Sequence, residues 1–252
     1  MTAVADFDRD GWIVARSVVP SDEVAAMQEI FTALIPENAS LPGGPDGLLG
    51  EITGASRAYE PLARIACDSR FGALVAAALG ASRVQLLQDS LLYKPARDGG
   101  TVHWHQDYTY VGFLTPPRVV SLRIALLPER EDTGCMRVVS GSHRWGQVGD
   151  VRALTESRVE SLVPSLSPEQ REAIARATPL VLGPGDVSIH HCLTLHGSGP
   201  NRSGQPRRTI ILRMFDGDCR LDASRLPAGA ESYFPTDAQG GLATSAFPVV
   251  FG

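Results

Sequence analysis

The sequence predicts a mainly β fold, a double-stranded β-helix or jelly roll with flanking α-helices, and three observations lead to it. From residue 84 onward, short runs rich in β-branched and large apolar residues recur over 84–93, 101–110, 118–127, 135–139, 180–182, 187–195 and 207–215. Gly, Pro and Asp turns separate them, and seven or more strands at this spacing suggest a jelly-roll sandwich. Ahead of them the apolar period is helical, as expected for elements packed on the outside of a sheet. No composition shift marks a boundary in the 252 residues. A single domain over 1–252 is therefore expected, with its jelly-roll core at about 84–215.

In chain order, Trp12 to Val14 and Ser17 to Val19 read as strand, closed by Pro20. Ser21 is placed to cap a helix whose Val24, Met27, Phe31 and Leu34 share a face and which ends before Pro36. The Pro/Gly-rich stretch 36–50 opposes regular structure and is expected to be a surface loop that helps cover a pocket. Residues 60–67 and 69–79 form two short helices, the second carrying Phe71, Leu74, Val75 and Ala78 on one side. An insertion lies between Trp145 and Pro179. Within it Ser167, Pro168 and Glu169 supply a cap, a first-turn proline and a first-turn acid, so a helix is expected to Ala177. The Gly/Pro/Ala-rich tail after Asp216 returns to apolar residues at 247–251.

Hydrophobic content of 43% and a net charge of −5 are those of a soluble globular protein. With no basic run, neither nucleic acid nor an acidic membrane surface is expected as partner. The first twenty residues include Asp6, Asp8 and Asp10 and read as no signal peptide, and no stretch reaches the length of a membrane span. A cytoplasmic protein with reduced thiols is expected, since Cys67, Cys135, Cys192 and Cys219 are spread without a C-x-x-C pair. All basic residues are arginine except Lys94, which makes that lysine a candidate for a place where arginine does not serve.

The chemistry concentrates in His103, Trp104, His105, Gln106, Asp107. On a strand, residues two apart share a face, so His105 and Asp107 can meet one metal ion. The partner is His196, within the run 189–201; five of the six histidines lie in these two clusters. Two histidines and one carboxylate make the facial triad of non-haem iron(II), which leaves positions open for a co-substrate and O2. His103 shares the strand face and leaves open a cupin-type H-x-H site, although no matching downstream Glu follows. His190 has the parity of His196 and reads as a pocket or core histidine. Eleven positions after His196 comes Arg207, on a strand-like run, able to grip a carboxylate bidentately.

These residues, with Thr133, Gly134, Cys135, Met136, then Ser140, Gly141, Ser142, His143, and His196, Gly197, Ser198, Gly199, Pro200, Asn201, resemble the phytanoyl-CoA dioxygenase family of iron(II)/2-oxoglutarate oxygenases. The resemblance covers roughly 84–215. It implies His105, Asp107 and His196 as ligands of Fe(II), Arg207 as the partner of the 2-oxoglutarate C5 carboxylate, and Ser198 as a hydroxyl beside it. Lys94 resembles a family position just ahead of the metal motif. Gln88 matches a glutamine that faces the co-substrate in the similar ectoine hydroxylases. Where many family members carry a tryptophan near the co-substrate, this chain has Arg123.

The resemblance implies an enzyme, a hydroxylase acting on a small metabolite or natural-product intermediate with release of succinate and CO2. A catalytically inactive metal-binding or sensor module, or a cupin-like isomerase, is the alternative. A small-molecule substrate is expected, and no protein partner is indicated. Trp104, Tyr108 and Tyr110 place aromatic surface around the metal motif for that substrate. Arg123 lies among Val119, Val120, Leu122, Ile124, Ala125 and Leu126, where burial is costly without an anion. It either faces the cavity and meets a carboxylate or phosphate, favouring an acidic substrate, or lies on the solvent side of an edge strand.

Overall fold

The computed structural model describes residues 2–35, 50–97, 100–148 and 166–252. The expected pocket-covering loop at 36–49 lies outside the described residues. In chain order the elements are α1 (Thr2–Asp10), β1 (Trp12–Ala15), α2 (Ser21–Leu34), β2 (Gly50–Thr53), α3 (Glu60–Ala66), α4 (Ser69–Leu79), β3 (Val84–Lys94) and β4 (Val102–His105). They continue with α5 (Tyr108–Val111), β5 (Leu114–Thr115), β6 (Val119–Ala125), β7 (Met136–Val138), α6 (Pro168–Ala175), β8 (Thr178–Pro179), β9 (Val187–His191), β10 (His196–Ser198), β11 (Arg207–Asp216), β12 (Arg220–Leu221) and β13 (Val249–Phe251). The fold is the expected jelly roll. A major antiparallel sheet runs β1-β9-β6-β11-β3-β13 with β2 also on β3, and a smaller sheet runs β4-β10-β7-β8.

Period-two alternation divides the labour on the major sheet. On β6, Val120, Leu122 and Ile124 enter the large core, while Ser121 and Arg123 line a cavity between the sheets. On β11, Ile210, Leu212 and Met214 join that core, and Arg207, Ile211 and Arg213 line the cavity. Helices α2, α3 and α4 close the core with Val24, Met27, Phe31, Leu62, Phe71 and Val75. On β3 the alternation is broken on purpose. Its pairing with β11 skips from Gln88 opposite Arg213 to Leu86 opposite Met214, so Leu87 is an extra residue in a β-bulge. Without it Gln88 and Leu92 would face the helices with Val84 and Leu86; with it both line the cavity.

Several local expectations are corrected. The N-terminal helix α1 has no forecast, and Val18 and Val19 donate to the Gly185 carbonyl instead of extending β1. Pro20 is the N-cap residue of α2, and Ser21 is its first helical residue. The run 187–195 is strand only as far as His191, because the chain turns there and enters the other sheet at His196. Helix α6 has the full capping box, Ser167 with Gln170. Among the described residues no helix is long and apolar enough to cross a membrane.

Leu122 is fully buried on the central strand β6, against the helices. Replacing it with Ala should cost about 2 to 5 kcal/mol in urea unfolding, whereas Val181→Ala, at a 47% exposed site, should stay within about 0.5 kcal/mol.

Candidate active site

His105 ends β4 and His196 begins β10, and the two are paired directly across the small sheet, with ring centroids 4.2 Å apart. Gly197 permits this approach, since a Cβ there would stand 3.1 Å from the Val102 carbonyl oxygen. Asp107 is not on the strand. The chain leaves β4 after His105 and turns into the short helix α5, with Asp107 in helical backbone conformation at its N-cap. The expected pairing of His105 with Asp107 by strand parity is thus corrected: a turn, not the pleat, aims both side chains at one point. Asp107 Oδ1 lies 3.6 Å from His105 Nε2 and 3.8 Å from His196 Nε2.

All three groups fit a metal ion. Their ligand atoms lie within 4.8 Å of one another, and among the described residues this trio is the one such cluster of His, Cys, Asp and Glu. Each histidine is oriented for the task. The Nδ1 of His105 bonds the His103 carbonyl at 2.8 Å, and that of His196 the Thr194 carbonyl at 2.9 Å, which leaves each Nε2 lone pair free. His103, the cupin-type rival, is exposed at the cavity rim and outside the trio.

Three neighbouring strands hold Asp107. Its Oδ2 accepts from Ser121 Oγ of β6 at 2.5 Å and from His190 Nε2 of β9 at 3.2 Å, and its Oδ1 accepts from Arg213 Nη2 of β11 at 3.2 Å. Ser121 is in register with both His190 and Arg213, so one row of the sheet supplies all three donors. Burial alone would raise the Asp107 pKa. The charge of Arg213, the neighbouring His105 and the hydrogen bond of His190 hold it well below the ordinary carboxylate value. Burial, then the neighbouring His105 and His190, push His196 well below the usual imidazole range, so it stays neutral and able to donate its lone pair. Gln106, fully buried between His105 and Asp107, donates to the Gly146 and Leu193 carbonyls and accepts from Val148 N, which pins the motif's backbone.

At the other end of the cavity lies a cluster of basic side chains. Arg207 pairs in register with Lys94. Arg207 is buried and donates through Nη1 to the carbonyl of Gly134, a residue at φ +69°, and its Nε is buried without a partner. Lys94, also buried, donates to Ser198 Oγ at 2.7 Å and to the Gly199 carbonyl at 2.6 Å. Burial, and then Arg207, push Lys94 down to about 6. Burial likewise lowers Arg207 to about 10. Glu129 is the acid within reach. Burial would raise it, but Arg123 and Arg207 hold it low. The end remains net positive and has an unused guanidinium N–H, which suits a carboxylate ligand.

The cavity, about 460 Å³, is lined by His105, Asp107, His196, Arg207, Ser198 and Gln88 among others. Tyr110 lines it too, exposed at the rim with its ring 6.1 Å from that of His105. Trp104 and Tyr108 do not. Trp104 alternates to the far side of β4 and packs against Val139, Ala177 and Leu195, and Tyr108 is buried with its hydroxyl accepting from Arg225 at 2.9 Å. Arg123 faces the cavity from a central strand, not an edge, and its anion comes from within: Nη2 meets both Glu129 oxygens at 3.2 and 3.0 Å, and Thr209 steadies the same carboxylate at 2.6 Å. His190 is the pocket histidine expected. Sequence reasoning missed Ser121, Arg213, Glu129 and Glu51. Ser121 and Arg213 carried a readable signal, as polar residues of cavity parity inside apolar strands.

The sequence pattern of the Phytanoyl-CoA dioxygenase (PhyH) family matches residues 7–209. The chain is 29% identical over 228 residues to the ectoine dioxygenase of Sphingopyxis alaskensis, covering 82% of this chain and 73% of that one. Among solved structures it is similar to EctD from S. alaskensis with 2-oxoglutarate and 5-hydroxyectoine, at TM-score 0.69 and 26% identity over 88% of this chain and 77% of that one. The non-heme alpha ketoglutarate dependent epimerase SnoN from nogalamycin biosynthesis shares the fold at TM-score 0.77 and 21% identity, over 100% of this chain and 98% of that one. With the two histidines, the aspartate and the arginine of its motifs gathered on one cavity, the chain belongs to the phytanoyl-CoA dioxygenase family.

Proposed function

We propose that this chain is an iron(II)- and 2-oxoglutarate-dependent oxygenase that hydroxylates a small metabolite or natural-product intermediate, using O2 and releasing succinate and CO2. The observation that carries the reading is the facing pair: an oriented His105, Asp107, His196 trio at one end of the cavity and an anion-seeking Arg207 at the other. Bound iron(II) would let O2 oxidise the chelated 2-oxo acid and then a substrate C–H bond. The protein's part is placement. His105 Nε2, His196 Nε2 and Asp107 Oδ1 would hold the ion, while Ser121 and His190 occupy Oδ2 and leave Oδ1, which accepts from Arg213, turned toward the histidines. Arg207 would take the far carboxylate of the co-substrate, and Ser198, which accepts from Lys94, keeps its own hydroxyl hydrogen for that carboxylate. Gln88 and Tyr110 border the space left for the substrate.

EctD, solved with 2-oxoglutarate and 5-hydroxyectoine, and SnoN, an alpha ketoglutarate dependent epimerase, support an oxygenase of this fold. The sensor reading lacks a supporting feature, because the trio and Arg207 are all retained. One domain is supported by both ends of the described chain, which add β1 and β13 to the two sides of one sheet. Four free cysteines support a reducing compartment, the cytoplasm.

Anaerobic addition of iron(II) and 2-oxoglutarate should produce the weak visible charge-transfer band of the chelate, and admitting O2 should release succinate. A band without succinate would point to a sensor. Asp107→Ala should abolish both signals; succinate formation undiminished in that variant would remove the assignment.

The Lys94 value sets a pH dependence. Its folded pKa of about 6 lies below the ordinary 10.5, so between them the unfolded chain binds a proton that the folded chain does not. Stability therefore rises with pH across that window. From about pH 7 to 8.5, above the titration of the buried histidines and below that of ordinary thiols, the protein without 2-oxoglutarate should grow more stable in urea unfolding. Lys94→Met should flatten that rise.

A further inference from the structure

One cavity cation, Arg213, has donors left over beyond its bond to Asp107. Arg213 sits on β11 between Gln88 of β3 and Ser121 of β6, with its side chain 14% exposed. Among the described residues its side chain makes one hydrogen bond, from Nη2 to Asp107 Oδ1, and its Nε is buried without a partner. A guanidinium has five N–H donors, so most of its capacity is open. Gln88 lines the same cavity, and its amide makes no hydrogen bond with the described residues.

Steadying Asp107 uses one of this side chain's donors and does not account for the rest. Oδ2 is already held by Ser121 and His190, and Oδ1 is the atom offered to the metal. An arginine meant to fix a carboxylate binds it through both oxygens, as Arg123 does with Glu129 in the same cavity. Charge balance points further. With a divalent ion at the trio, Asp107 and the chelating carboxylate of 2-oxoglutarate offset the ion, and the far carboxylate belongs to Arg207. Arg213 is then a cation without a further counter-ion on a mostly buried side chain, which is costly until another anion enters. Glu51, also on the cavity wall, is exposed on β2 and makes no hydrogen bond to Arg213.

We infer that Arg213, with Gln88 beside it, is a specificity-determining residue that binds a carboxylate carried by the substrate. The inference rests on the proposed iron and 2-oxoglutarate chemistry. It moves the expected preference for an acidic substrate from Arg123, which Glu129 already satisfies, to Arg213.

The test uses the full chain as its anaerobic iron(II)–2-oxoglutarate complex, followed by the visible band and by calorimetry at constant ionic strength. The probes are benzoate, hexanoate and 3-phenylpropionate, each against its primary amide. The wild type should bind carboxylates more tightly than the amides with the band retained. Arg213→Gln should lose that preference, weakening carboxylate binding roughly tenfold or more, and Arg213→Lys should restore part of it. Equal binding of acids and amides, no carboxylate binding, or bleaching of the band by displaced 2-oxoglutarate would overturn the inference. So would an Arg213→Gln variant that keeps the preference and loses only iron affinity, which is the mark of a residue that merely steadies Asp107. Failure of the band to form before any probe is added would instead sink the oxygenase reading and this inference with it.

Discussion

The Asp107 carboxylate is the hinge of the structure. Buried without donors it would take up a proton and could not serve as the proposed metal ligand. Ser121, His190 and Arg213 prevent this, and they do so from one row across β9, β6 and β11. The aspartate itself belongs to the turn that leaves the opposite sheet. Its hydrogen bonds therefore tie the two sheets together at the point where the site must be rigid. Loss of one donor would leave the strand pairing intact and disturb the aim of the carboxylate.

The same alternation that builds the core builds the site. Each central strand of the major sheet gives one face to α2, α3 and α4 and the other to the cavity, so stability and chemistry are written on alternate residues. The polar face is graded along the strands. Nearest the trio are Gln88, Arg213, Ser121 and His190; at the far end are Lys94 and Arg207, with Glu129 as internal counter-ion to Arg123. In the proposed reading a dicarboxylate would lie along this gradient, one end at the trio and the other at Arg207. The bulge at Leu87 brings β3 into phase with this pattern.

The motif glycines and serines around the cavity are structural in a specific sense. Gly134 turns so that its carbonyl meets Arg207. Ser142 donates to the Val139 carbonyl at 2.6 Å and accepts from Leu195 N at 2.8 Å, fixing the entry to β10. Asn201 bonds the Pro95 and Gln205 carbonyls and accepts from Ser203, tying the segment after β10 to the end of β3. Between them they hold His196, Ser198 and Arg207 at fixed separation.

By itself the sequence determined the strand-rich core and the helices ahead of it, and pointed to the His105, Asp107, His196 trio and the Arg207 that the fold gathers on one cavity, because apolar period and ligand-bearing motifs are local or carried by recognisable spacing. Arg123 showed why that reach is limited: a buried arginine announces a need for an anion but not which anion, and Glu129, close in sequence, became its partner only once β6 and β11 brought Thr209 and Arg123 around it. Trp104 and Tyr108 were next to the motif in sequence and turned away from the cavity, since β4 alternates and then ends. Ser121 and Arg213 were legible as polar residues of cavity parity, but that they and His190 meet Asp107 was not, for they come from strands paired across long sequence separations. Register between such strands is decided by the packing of the whole sheet against its helices, and that is a property of the tertiary structure alone.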